Sequence, residues 1–214
     1  MSRMLGSALK TSVEDALIRF AWEEWSQMGV LATGGAPRRW AQDPEALLLF
    51  TFEVGRSDPR LFDEVLDWLV TNEQLVSLRR LRSLAVDHED KALSDAVIAW
   101  LGRQRPKARF ATVARPASGQ VVERLFFDDR FPVAHADHAF AEHGWLRPAV
   151  SGSSKSGPPD LEAPINLSFR LRHLLGLAAR AEVVRLLFTM PNSGPTASSL
   201  ARSAGYTKRN VHEA

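Results

Sequence analysis

The sequence contains no cysteine, which excludes disulfides, cysteine-ligated zinc, iron–sulfur clusters and thiol catalysis. No apolar run approaches the roughly 20 residues that span a bilayer. The opening stretch, MSRMLGSALKTSVED, lacks the apolar h-region of about 7–15 residues that marks a signal peptide. A soluble cytoplasmic protein is therefore the expectation. No GxGxxG or GxxxxGK[ST] motif occurs, so Gly34-Gly35 is not a phosphate loop. No GxSxG nucleophile elbow and no HExxH pair occur either. These absences make a non-enzyme the expectation, with no catalytic residue, no cofactor and no metal. Lysine is scarce, 5 against 22 arginines. Genome composition alone produces such a bias, so it is no argument for phosphate binding.

What is present is ordinary globular material. The chain has 214 residues, enough for one large or two small domains. Apolar residues make up 45% and charged residues 24%, and 11 Phe, 6 Trp and 1 Tyr are enough to fill a sizeable core. The formal charge is +2, but it is unevenly placed. Residues 1–105 carry 13 basic and 16 acidic side chains, residues 106–164 carry 7 of each, and residues 165–214 carry 7 basic and 2 acidic. Basicity gathered at one end points to a local anionic partner there.

The first 105 residues read as short helices with explicit start signals. Ser12-Val13-Glu14-Asp15 resembles a capping box, followed by the apolar stripe Ala16, Leu17, Phe20, Trp25 and Met28, with Gly29 as the stop. Asp43-Pro44-Glu45 and Asp58-Pro59 each place an oxygen-bearing N-cap before a proline at N1, where no N–H is needed. Ala46–Val54 follows the first, with Gly55 as its stop; Leu61, Phe62, Val65, Leu66 and Leu69 form one face after the second. Asn72 is the expected cap of a fourth helix bearing Leu75, Leu78 and Leu81, with Arg79, Arg80 and Arg82 on a solvated face. A fifth runs from about Asp90 to Leu101, with Leu93, Ala96, Val97 and Trp100 inward. Helical spacing makes the tryptophans (Trp22, Trp25, Trp40, Trp68, Trp100, Trp145) core residues rather than a ligand pocket. The run Val121, Val122, Leu125, Phe126 and Phe127 fits a strand or a helical turn equally well. Residues 151–160, SGSSKSGPPD, have linker composition. The expected organisation is a helical domain over 1–150, a linker over 151–164 and a second helical unit over 165–214. In the last unit, Leu167, Leu171, Leu174 and Leu175 form one stripe, Ala181, Val184 and Leu187 the next, and Gly176 separates them.

Two polar groupings carry less. His135, Asp137, His138, Glu142 and His143 lie within nine residues, but without metal-ligand order; a solvated face is the plainer reading, with His88, His173 and His212 far away in sequence. Asp128-Asp129 are adjacent acids that point apart on either regular structure, so a solvated turn is expected.

The informative segment is the last one, PTASSLARSAGYTKRNVHEA. A short helix would bury Leu200 and Ala201, the small Ala201 allowing a second helix to cross closely. Gly205, four positions later, supplies the positive φ of a tight turn, and Val211 anchors the second helix. Ala204 and Tyr206 flank the turn. That placement puts Thr207, Lys208, Arg209, Asn210, His212 and Glu213 outward. Lys208 and Arg209 suit phosphates or guanine edges, Asn210 suits adenine, Thr207 caps the helix, and Ser198 with Ser199 on the preceding helix reaches the backbone.

In this spacing the segment resembles the helix-turn-helix of bacterial winged-helix transcriptional regulators. The resemblance covers about residues 165–214, and a preceding helix near Ala181–Phe188 completes three helices. It implies a mainly α protein ending in a winged-helix-like module that stops eight residues into its recognition helix and lacks its wing, as in a truncated copy. It implies double-stranded DNA as partner, with Ser198, Thr207, Lys208, Arg209, Asn210 and His212 at the interface. By analogy with such regulators, the N-terminal domain is expected to sense an effector, form a homodimer or bind a partner. The alternative is a non-catalytic interaction protein, antitoxin-like or an adaptor subunit, that uses the same hairpin for protein docking.

Overall fold

A computed structural model describes residues 2–31, 37–86, 91–104, 122–128, 133–190 and 194–214. The chain is mainly helical, with ten α-helices among the described residues and little strand. Gly34-Gly35, His88, Asp90, Val121 and Asp129 lie outside the described residues.

The start signals at Asp43 and Asp58 operate as their chemistry dictates. Asp43 accepts from the Ala46 N–H at 3.1 Å and opens α2 (Pro44–Val54), which Gly55 ends. Asp58 accepts from the Arg60 and Leu61 N–H groups at 3.1 Å and opens α3 (Pro59–Asn72). In α3, Leu61, Phe62, Val65, Leu66 and Leu69 all point inward. α1 (Ser2–Gln27) runs straight through Ser12, so the capping box is not a helix start, and its buried side is Ala21, Trp25 and Met28. Leu17 and Phe20 remain exposed. Gly29, at φ +102°, turns the chain after α1; a Cβ there would lie 2.4 Å from the Gly157 carbonyl oxygen.

Ser77, not Asn72, caps α4 (Leu78–Ala85), accepting from the Arg80 N–H. Asn72 ends α3, and its side chain donates to the Trp68 and Gly157 carbonyls. α5 (Lys91–Gln104) buries Leu93, Ala96, Val97 and Trp100. A two-residue strand, β1 (Glu123–Arg124), pairs in parallel with β2 (Trp145–Leu146), and Leu125, Phe126 and Phe127 follow it in a bend rather than in a strand or a helical turn; α6 (His138–Glu142) lies between the two strands in sequence. Leu125 and Phe126 are buried, while Val122 and Phe127 are exposed.

The main core gathers Trp25, Trp68, Phe52, Phe62, Phe126 and Phe140 with aliphatic residues of α1 to α6, and takes in Phe169 from α7 (Leu167–Leu175). The Trp25 and Trp68 rings meet at 5.1 Å, tilted by 58°, and their indole N–H groups donate to the Thr51 hydroxyl and the Met28 carbonyl. Trp100 is also buried, Trp22 and Trp145 are half-buried, and Trp40 is exposed. Residues 151–160 are extended along α3: the Ser151 N–H donates to Asp63, the Ser153 hydroxyl to Glu64, and the Gly157 N–H to the Gly29 carbonyl.

The two apolar stripes expected in the last fifty residues are buried only in part: Leu171 and Ala181 point inward, Leu167 and Val184 are half-buried, and Leu174, Leu175 and Leu187 are exposed. On α7, Phe169 and Leu171 are buried, and Leu174 is 72% exposed. On α8 (Ala179–Thr189), Ala181, Glu182, Arg185 and Leu186 face inward while Leu187 and Phe188 face solvent. The physical reason is that α8 meets a charged surface, described next. Gly176, at φ +79°, separates α7 from α8.

Candidate functional site

The C-terminal segment forms two helices and a turn. Thr196 accepts from the Ser199 N–H at 3.1 Å and opens α9 (Ala197–Ala204). Leu200, Ala201 and Ala204 are its buried side. Gly205 sits at φ 68°, ψ 31°, the left-handed conformation glycine adopts without steric cost. The Tyr206 N–H reaches the Ala201 carbonyl at 3.0 Å and the Gly205 N–H the Arg202 carbonyl at 3.2 Å, the Schellman pattern that closes a helix. Thr207 then caps α10 (Lys208–His212): its hydroxyl accepts from the Asn210 N–H at 3.2 Å and donates to the Asn210 side-chain oxygen at 2.7 Å. Leu186, Leu200 and Ala204, with Met190, Tyr206 and Val211 against them, make a small core separate from the main one.

The six residues expected at a DNA interface are distributed as follows. Thr207, Lys208, Arg209 and His212 are exposed along α10. Arg209 pairs with Glu213 one turn on, at 2.8 Å. Asn210 is half-buried, and its side-chain oxygen also receives Arg79 at 3.3 Å, so its carboxamide faces α4. Ser198 is half-buried in the first turn of α9. Of the seven basic residues in 165–214, Arg172 and Arg185 turn inward, leaving Arg170, Arg180, Arg202, Lys208 and Arg209 exposed.

Beneath the hairpin lies a feature that the sequence reading missed. Arg80, placed on a solvated face by that reading, is fully buried. Its Nη1 donates to Asp43 at 2.5 Å and Glu45 at 2.7 Å, and its Nε to the Ala204 carbonyl at 2.7 Å, the last residue of α9. Arg172 bridges Glu45 at 2.5 Å and Glu182 at 2.6 Å and donates to the Leu75 carbonyl at 2.6 Å. Arg185 spans Glu182 and Asp43, both at 3.0 Å. Three carboxylates and three guanidinium groups thus cancel in charge where α2 and α4 meet α7, α8 and α9. Burial is the largest influence on Asp43 and alone would raise its pKa. The hydrogen bond and charge of Arg80, the charge of Arg185 and the Ala46 N–H outweigh it, holding the carboxyl at about 2. Glu182 is likewise lowered: burial opposes the shift, but Arg172, Arg80 and Arg185 prevail. Burial also opposes the shifts of Arg80 and Arg172, yet both are raised by their carboxylate partners. The one sequence sign of this cluster was the Glu182/Arg185 spacing of three, which puts both on a single helix face.

The His135–His143 grouping is dispersed. Asp137 caps α6, and His138 pairs with Glu142 at 3.0 Å, both against Arg103. His143 is buried, which lowers its pKa. Among the described residues no three His, Asp or Glu side chains converge as metal ligands. Asp128 is half-buried.

Comparison of the chain with protein-family models, with curated proteins and with solved structures found no match.

Proposed function

We propose that this protein binds double-stranded DNA as a transcriptional regulator, with α8, α9 and α10 acting as a three-helix winged-helix-like module and α10 entering the major groove. The observation that carries the reading is the Gly205 turn. It sets a Thr207-capped helix on the outside of the molecule with Lys208, Arg209 and His212 free of the body. Lys208 and Arg209 neutralise phosphates or address guanine edges; Ser198 and Thr207 lie at the starts of α9 and α10, where N–H groups favour a phosphate. Asn210 serves by orienting α10 against Arg79 rather than by reading adenine.

The test is titration of the full chain against a pool of random duplexes at several salt concentrations, with sequencing of the bound fraction. The expected result is a log–log salt slope of several units, enrichment of a sequence, and a slope reduced by about 1 in Arg209→Ala. A slope near zero with no enrichment overturns the reading. That outcome would favour a protein-docking role, for which exposed Leu174, Leu187 and Phe188 on α7 and α8 are the supporting observation.

A further inference from the structure

The first half of α1 reaches past the body on which its second half packs. Ala21 and Trp25 enter the main core, and the Trp22 indole N–H donates to Asp58 at 2.8 Å. Between Leu9 and Phe20, by contrast, only Glu14 and Ile18 are half-buried, and every other residue is exposed. The exposed set includes Leu9, Val13, Leu17 and Phe20, with Leu9 68% and Val13 50% exposed. At helical spacing these four fall within an arc of about 80°, centred about 100° round the axis from Ala21 and Trp25. Phe20 ends the stripe at the body, meeting Phe50 edge-on at 5.8 Å. α1 thus carries two apolar faces, one inside the core and one bare.

A helix of fewer than about 12–15 residues is marginal in water without tertiary cover, so the outer half of α1 calls for a partner. We propose that this partner is the α1 of a second copy, packed antiparallel about a two-fold axis at Val13. Leu9 and Leu17 lie equally far from Val13 along the chain. The axis therefore sets Leu9 against the partner's Leu17 and Val13 against its own counterpart, the self-complementary pattern of an isologous interface. Charge agrees with that register. Lys10 and Glu14 stand on the same flank of the stripe, one turn apart, so an antiparallel copy brings Lys10 diagonally opposite the partner's Glu14. The Ser57 hydroxyl donates to Glu14 Oε1 and fixes that carboxylate at the edge of the stripe. Opposed helix dipoles favour the same orientation, and the two bodies then lie at opposite ends of the pair. A lipid surface fits less well. The polar side of this segment carries Glu14 and Asp15 as well as Lys10 and Arg19, not the cationic face with which an amphipathic helix meets anionic lipid. A dimer carries two copies of α10, which on the DNA reading would engage paired half-sites. The pairing itself does not rest on that reading.

Sedimentation equilibrium of the full, DNA-free chain tests the proposal. The expected result is a reversible monomer–dimer equilibrium. Val13→Glu opposes two carboxylates at the axis and should weaken association by about tenfold or more. Val13 is exposed in the single chain, so the variant keeps its fold, which circular dichroism checks. The register has its own readout, because the chain contains no cysteine. A mixture of Leu9→Cys and Leu17→Cys chains should oxidise to the mixed disulfide, whereas parallel in-register helices would give the two same-site disulfides. A wild-type chain that stays monomeric at every concentration, a dimer that Val13→Glu leaves intact, or same-site disulfides overturns the proposal. Because DNA is absent, failure here leaves the DNA reading standing, and failure of the salt titration leaves the pairing standing.

Discussion

Arg172 carries a full positive charge to a position where its side chain is 2% exposed, and two carboxylates and the Leu75 carbonyl meet it there. Removing such a charge costs more than the pair is worth, because Glu45 and Glu182 are left desolvated without their main partner. Arg172→Met should lose about 3–5 kcal/mol of stability, read as a lower urea midpoint. Arg209, 85% exposed, is the control: Arg209→Ala should leave the midpoint in place while changing the salt slope of DNA binding. An Arg172→Met midpoint equal to wild type would mean that the network does not hold the hairpin to the body. In sequence Arg209 has the nearer glutamate, Glu213 four positions on, while those nearest to Arg172 are ten positions away, so sequence proximity does not mark the buried arginine. What distinguishes them is whether a body carboxylate lies opposite, and Glu45 is 127 residues from Arg172 along the chain.

The elements show the same division between local and distant information. Asp43-Pro44, Asp58-Pro59, Gly205 and Thr207 act through atoms one to five residues away, so their helix boundaries could be read directly. The buried faces of α7 and α8 could not, because α8 carries both an apolar stripe and a Glu182/Arg185 stripe, and only the packing partner decides which turns inward. Asn72 failed as a cap for a related reason. α3 extends to include it, and the next helix waits for Ser77. Gly205 is the position where a single atom tests the hairpin. A Cβ there would adopt a disfavoured positive φ and lie 3.2 Å from Leu84 Cδ2 and 3.3 Å from Arg80 Cγ. Gly205→Ala should cost about 1–2 kcal/mol from the left-handed conformation alone. Amide exchange should quicken at Tyr206 and Val211 more than in α3. Uniform change across the chain would instead indicate that the turn is not locally strained.

At the scale of the whole molecule, two apolar cores of unequal size are joined through charge. The large one spans α1 to α7, and the small one rests on Leu186, Leu200 and Ala204. Asp43, Glu45, Arg80, Arg172, Glu182 and Arg185 lie between them, so stability should depend on acid in a stated direction. Asp43 and Glu182 have folded pKa values below their unfolded ones, so the unfolded chain binds protons more readily at moderately low pH. Their contribution is fully present above the unfolded values. It is lost as pH falls from about 5 towards the folded value of about 2 for Asp43. For Asp43 alone the loss should approach about 2 kcal/mol. Asp43→Asn isolates the charge, because asparagine caps a helix as well as aspartate does. Urea midpoints measured from pH 7 to pH 2.5 should show wild type above the variant at pH 7 and the two converging at the acid end. Parallel curves would mean that the charge of Asp43 does not join the two cores, and the hairpin would then owe its position to the Arg80–Ala204 bond and to Tyr206 against Ser77.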